Sequence, residues 1–159
     1  MASNFHGDAY FELVDEGTVT AERYKLFLTN MLTYYGSLQR PIPPENLLLM
    51  HDNARPHVAR LIVDWLLPQN VMCVKQPPYS PDFNIMDRFV FRNLEIFRRG
   101  QDYNNLEEVN KALSDYIQTL SERKLMNERE NLKTHLQKVP NSKTQKVPTL
   151  TVKVIMFSC

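Results

Sequence analysis

The segment His51-Asp52-Asn53-Ala54-Arg55-Pro56-His57 places two imidazoles, a carboxylate, an amide and an arginine directly after the apolar run Leu47–Met50. A second acid, Asp87, follows thirty-five positions later in SPDFNIMDRF, where a helical pattern begins, and Asp82 lies in the loop before it. That interval holds one helix and one strand, enough to return the chain to the same edge of a sheet. Two carboxylates brought together repel, which raises one pKa unless a cation sits between them, and hard divalent ions such as magnesium take such oxygen ligands. Asp52 and Asp87 are therefore candidate metal ligands. The competing reading of Asp87 is a dipole partner in the first turn of its helix, and spacing alone leaves both open.

Other chemistries fit less well. A zinc site from His51, His57 and Cys73 lacks the tight C-x-x-C or H-x-x-x-H pairs that zinc draws on. Ser80 stands in PPYSPD, outside any strained Gly-x-Ser-x-Gly turn, which argues against a serine hydrolase.

The elements that must position the acids alternate. AYFELV, Ala9 to Val14, reads as a strand entering a turn at DEG. Thr20 is the expected N-cap of a helix from about Ala21 to Tyr35, with Tyr24, Phe27, Leu28, Met31 and Leu32 at spacings of three and four. Pro41, Pro43 and Pro44 mark the next connection. LLLMHD then reads as a buried strand, ARPHVARLIVDWL as a short helix and VMCVK as a second buried strand, with Cys73 as a small core residue. Helices follow from about Ile85 to Arg99, from Leu106 to Leu120 behind Asn104 or Asn105, and on to Gln137. This order predicts an α/β fold with a mainly parallel sheet flanked by helices. In such sheets chemistry sits at the carboxyl ends of strands, where His51, Asp52 and Asn53 lie.

Composition bounds the class. A chain of 159 residues with 43% hydrophobic and 10% aromatic content suits one domain with a real core. No window approaches the roughly 18 unbroken apolar residues of a membrane span, and the first residues lack the layout of a signal peptide, so an intracellular protein without a membrane partner is expected. Two cysteines make no disulfide framework. The net charge of +1 means that any nucleic-acid binding must rest on local patches. One such patch is Arg88, Arg92 and Arg99, opposite an apolar stripe of Met86, Val90, Leu94 and Phe97. Its bland counterpart is a solvated face in which Glu95 pairs with Arg99 or Arg92.

HDNARPH together with QPPYSPDFNIMDRFVF resembles the catalytic core of a mariner-type DNA transposase, in the ribonuclease H-like, integrase-like superfamily. The likeness runs from about Phe5 to at least Leu94, and EGTVTAERYKLFLTNML resembles the helix before the second acid. The resemblance implies a partial ribonuclease H-like fold, a site of three acids holding two Mg2+ or Mn2+ ions, DNA strand cleavage and transfer, transposon-end DNA as partner and a nuclear location, while a sheet edge left open by a missing strand would invite self-association. Asp52 matches the second acid and Asp87 the third. On this reading Asn53 orients a carboxylate or a metal-bound water, and His57 touches phosphate beside Arg88 and Arg92. Their plainer alternatives are an N-cap for Asn53 and a surface position for His57.

The chain also departs from the family pattern. The family's first acid lies on a strand in the middle of the sheet, upstream of the segment matching AYFELV, and here only eight residues precede that segment. Ile85 stands where the family commonly has proline. The expectation is a transposase catalytic domain over 1–138 with its first strands missing, inactive alone, and an irregular tail over 139–159 whose Thr149–Phe157 run forms an edge strand or an extended segment. The alternative is a non-catalytic remnant that binds nucleic acid or protein.

Overall fold

The computed structural model describes residues 1–3, 8–14, 17–75, 84–138 and 153–157. The first strands, β1 (Ala2–Ser3) and β2 (Ala9–Tyr10), are two residues each. The strand expected over Ala9 to Val14 is therefore only its first two residues. Helix α1 (Ala21–Gly36) begins as its sequence requires: the Thr20 hydroxyl accepts a hydrogen bond from the Arg23 N–H at 3.3 Å. Tyr24, Phe27, Leu28, Met31 and Tyr35 form its buried stripe.

Strand β3 (Leu47–His51) is apolar on both sides because both sides are covered. Leu47 and Leu49 join α1, Ile62 and Leu66 in one core. Met50 points the other way, into a second core with Ile85, Met86, Val90, Tyr116, Leu120, Leu125 and Leu132. The period of two along a strand makes this division.

Where one helix was expected after β3, there are two. Arg55–Val58 forms α2 and Arg60–Leu66 forms α3, separated at Ala59, whose ψ of 144° is extended. The break turns His57 inward while Ile62 and Leu66 still face the first core. Strand β4 (Met72–Lys75) follows Asn70, whose left-handed φ of 56° suits asparagine at a tight turn. Cys73 on β4 is exposed instead of in the core.

The helix expected from Ile85 to Arg99 is a six-residue π-helix (Met86–Phe91) running into α4 (Arg92–Arg98). Its stripe is as expected: Met86 and Val90 are fully buried, and Leu94 and Phe97 pack against them. Helix α5 (Leu106–Thr119) takes Asn105 as N-cap, accepting from the Glu108 N–H at 2.9 Å, while Glu108 reaches back to the Asn104 N–H at 2.8 Å. Helix α6 covers Glu122–Lys138. None of the described helices is long and apolar enough to cross a membrane.

The last strand, β5 (Lys153–Phe157), changes the picture of the tail. The five-stranded sheet runs β2-β1-β5-β3-β4, so β5 is its middle strand, parallel to β3 and antiparallel to β1. An edge strand or an extended segment was the expectation for this run. Strand β3 is also parallel to β4, as anticipated, with Leu49 opposite Cys73 and, on its other side, opposite Ile155. The parallel core β5-β3-β4 thus carries an antiparallel extension of β1 and β2.

Candidate metal and DNA site

Asp52 leaves the end of β3 and is caught at once. Its Oδ1 accepts a hydrogen bond from the Ala54 N–H at 3.0 Å and lies 2.6 Å from His57 Nδ1. A carboxylate oxygen only accepts, so the ring proton sits on Nδ1 and donates. The carboxyl group keeps 31% of its surface exposed, whereas the His57 side chain is fully enclosed. Behind the imidazole stands Tyr24 of α1, with ring centroids 4.0 Å apart. His51 lies 5.4 Å from His57 and 6.0 Å from Tyr24, ring to ring, and among the described residues its buried Nδ1 has no hydrogen-bond partner.

Burial governs both imidazoles. It pushes the His51 pKa down to about 4, helped by His57 and opposed by Asp52. It also lowers His57, against the pull of Asp52. Both rings are therefore neutral near pH 7.

His57 is accordingly neither a surface histidine nor placed to touch a phosphate, because its side chain is enclosed and its Nδ1 is committed to Asp52. Asn53 is exposed and does not cap the next helix. Ala54 occupies that position with no side-chain cap, and the Asp52 carboxylate accepts from the N–H of Ala54 itself.

Asp87 lies half-buried in the first turn of the π-helix. The helix is started by Asn84, which is fully buried and whose Oδ1 accepts from the Met86 N–H at 3.0 Å. Met86, beside Asp87, and Met50, two residues before Asp52, belong to the same core, so both acids flank one cluster. The loop with Ser80 and Asp82 lies outside the described residues. Among the described residues, no group of three or more histidines, cysteines, aspartates and glutamates is placed to hold a metal ion. The middle strand of the sheet, Lys-Val-Ile-Met-Phe, adds no carboxylate.

The arginine patch is divided. Arg88 is mostly covered and reaches Glu128 of α6 at 3.8 Å. Glu95 pairs with Arg98 at 3.1 Å, not with Arg92 or Arg99. Arg92 and Arg99 are exposed. A groove of about 480 Å³ between the π-helix, α4, α5 and α6 is lined by Phe89, Asn93, Phe97, Tyr116 and Lys124 among others, and includes neither acid.

Sequence reasoning placed Tyr24 in the core but missed its role behind His57, and missed Asn84 and Glu128. Asn84 had a signal, an asparagine just before a periodic apolar run. Glu128 had none, since its partner is forty positions away.

A family model described as DDE superfamily endonuclease matches residues 1–110. Over 117 residues the chain is 29% identical to human histone-lysine N-methyltransferase SETMAR, covering 72% of this chain and 17% of that protein. Over 117 residues it is 31% identical to the mariner Mos1 transposase of Drosophila mauritiana, covering 70% of this chain and 33% of that one. The chain thus spans about a sixth and a third of these relatives. Among solved structures, the Mos1 transposase catalytic domain with raltegravir and Mg superposes with a TM-score of 0.70 at 26% identity, covering 81% of this chain and 68% of the other. The Mos1 mariner paired end complex with Mn gives 0.71 at 28% identity, covering 81% and 39%.

Proposed function

Because the chain belongs to the DDE superfamily endonucleases, we propose that it is a transposase-derived domain in which Asp52 and Asp87 share one Mg2+ or Mn2+ ion at a DNA-binding face. The observation that carries this reading is the fixed Asp52 carboxylate at the carboxyl end of β3, on a strand whose Met50 packs with the helix bearing Asp87. Two carboxylates are a hard oxygen donor set, which suits magnesium or manganese with water completing the coordination. A bound ion would supply the positive charge that activates a phosphodiester for attack.

The chain's own groups have separable tasks. Asp52 presents one oxygen to the cation while the other is held by Ala54 and His57. Asp87 approaches from the first turn of the π-helix. Asn53 and Arg92, both exposed, contact DNA phosphates. Such contacts give affinity that is independent of sequence and falls steeply with salt. Arg88, turned toward Glu128, contributes less.

Two-metal cleavage needs a further carboxylate to bridge the ions and hold them within a fraction of an ångström. Neither β5 nor any three-acid group among the described residues supplies it. The reading is therefore of a domain that binds a divalent ion and DNA, in the nucleus, without cutting alone. The test is incubation of the purified chain with supercoiled plasmid and manganese, alongside Asp52→Ala. The expected result is salt-sensitive retardation of the plasmid with no nicking. Nicking by the parent that vanishes in Asp52→Ala would overturn the inactivity, and absence of retardation at low salt would overturn the DNA-binding role.

A further inference from the structure

Three features converge on one atom. Asp52 Oδ1 accepts from the Ala54 N–H at 3.0 Å and from the His57 ring at 2.6 Å, the latter a short contact of the kind made to an ionised acceptor. The His57 side chain is fully enclosed, so the interaction is not exchanged with water. The ring is in turn backed by Tyr24, 4.0 Å away, and Tyr24 is itself buried in the first core. A chain of contacts therefore runs from the interior of α1 through an imidazole to a carboxylate that is still about one-third exposed.

We infer that His57 is a positioning residue: its Nδ1–H fixes Asp52 Oδ1, so that the second oxygen, Oδ2, is presented to the cation. This rests on the proposed metal role of Asp52. A carboxylate at the end of a strand otherwise rotates freely about its last bond, and each unproductive rotamer lowers affinity for an ion that needs its ligands at fixed distances. Partners that orient a ligand typically change metal affinity by about 10- to 100-fold. The break at Ala59 serves this arrangement, since it turns His57 inward while Ile62 and Leu66 of α3 keep their places in the core.

Two substitutions separate orientation from packing. His57→Asn keeps an N–H donor at the position of Nδ1, two bonds from Cβ, but loses the ring. His57→Phe keeps a ring against Tyr24 and loses the donor. The experiment is Mn2+ titration of the full chain, followed by the electron paramagnetic resonance signal of free Mn2+, for the parent, Asp52→Ala, His57→Asn and His57→Phe. Each protein is held below the thermal transition measured for it without metal.

The expected result is binding by the parent that is lost in Asp52→Ala, weakened about tenfold or more in His57→Phe, and kept within about threefold of the parent in His57→Asn. Parent-like binding by His57→Phe would overturn the positioning role while leaving the metal reading intact. Weak binding by His57→Asn beside strong binding by His57→Phe would assign His57 to packing and overturn it as well. Absence of binding by the parent would overturn the metal reading and the positioning role together. If His57→Asn does not fold, His57→Phe decides the question alone.

Discussion

The two acids are held in different ways. Asp52 is fixed within five residues of itself, by the Ala54 N–H and the His57 ring, with Tyr24 as a distant support. Asp87 owes its place to packing from far along the chain: the π-helix that carries it lies on Met50 and on Tyr116, Leu120, Leu125 and Leu132 of the α5–α6 region. Even its neighbour Arg88 is tied to Glu128. One side of the site is made by local hydrogen bonds, the other by a core assembled at a distance. Local geometry survives small changes in packing, whereas a π-helix, with its poorer geometry, persists only where the surroundings select it.

The sharpest way to break the contrast is to empty the second core. Met86→Ala removes a fully buried side chain next to Asp87 and should cost about 3 kcal/mol, by the usual range for buried Met truncations. Urea unfolding measures it. Manganese affinity should also fall, because Asp87 moves with its helix. A loss below about 1 kcal/mol would mean that the π-helix is held by something other than this core.

On the local side, Asp52→Ala leaves the enclosed His57 donor without its acceptor. The expected loss is about 2 kcal/mol, the cost of orphaning a buried polar group. An unchanged midpoint would mean that the His57–Asp52 contact adds nothing to stability.

Asn84→Ala removes the group that satisfies the Met86 N–H, and should cost about 1 kcal/mol. A larger loss would show that buried Asn84 has a second task.

The smallest effect concerns pH. Burial raises the Tyr116 pKa to about 12, and its hydroxyl donates to the Val90 carbonyl at 2.5 Å. A raised folded pKa stabilises fully below the unfolded value near 10 and is lost as pH rises through the folded value. Stability should therefore decline between about pH 10 and 12, and decline less in Tyr116→Phe. Parallel profiles for the two proteins would remove Tyr116 as a source of alkaline sensitivity.

The same contrast explains what could be read in the sequence. The Thr20 cap, the apolar stripe of α1, the parallel pair β3 and β4 and the position of Asp52 at a strand end all follow from residues near in sequence, and all were legible. What was missed depends on distance. An unbroken helix over this segment would leave His57 at the surface, and nothing local at Ala59 marks the extended ψ that turns it inward. The π-helix has the same apolar spacing as an α-helix over six residues, so period alone cannot reveal it. The run of β5 reads as an edge strand or an extended segment because a short apolar run carries no information about which strands will flank it, and the sheet seats it between β1 and β3.

The central claim is that a locally fixed Asp52 and a remotely placed Asp87 act on one ion. Calorimetric titration of Mn2+ into the parent, Asp52→Ala, Asp87→Ala and the double variant tests it most directly. The account predicts one ion per chain, a loss of at least about tenfold in either single variant, and little further loss in the double, since groups that share a ligand are not additive. Two ions per chain, each abolished by one substitution and indifferent to the other, would contradict it.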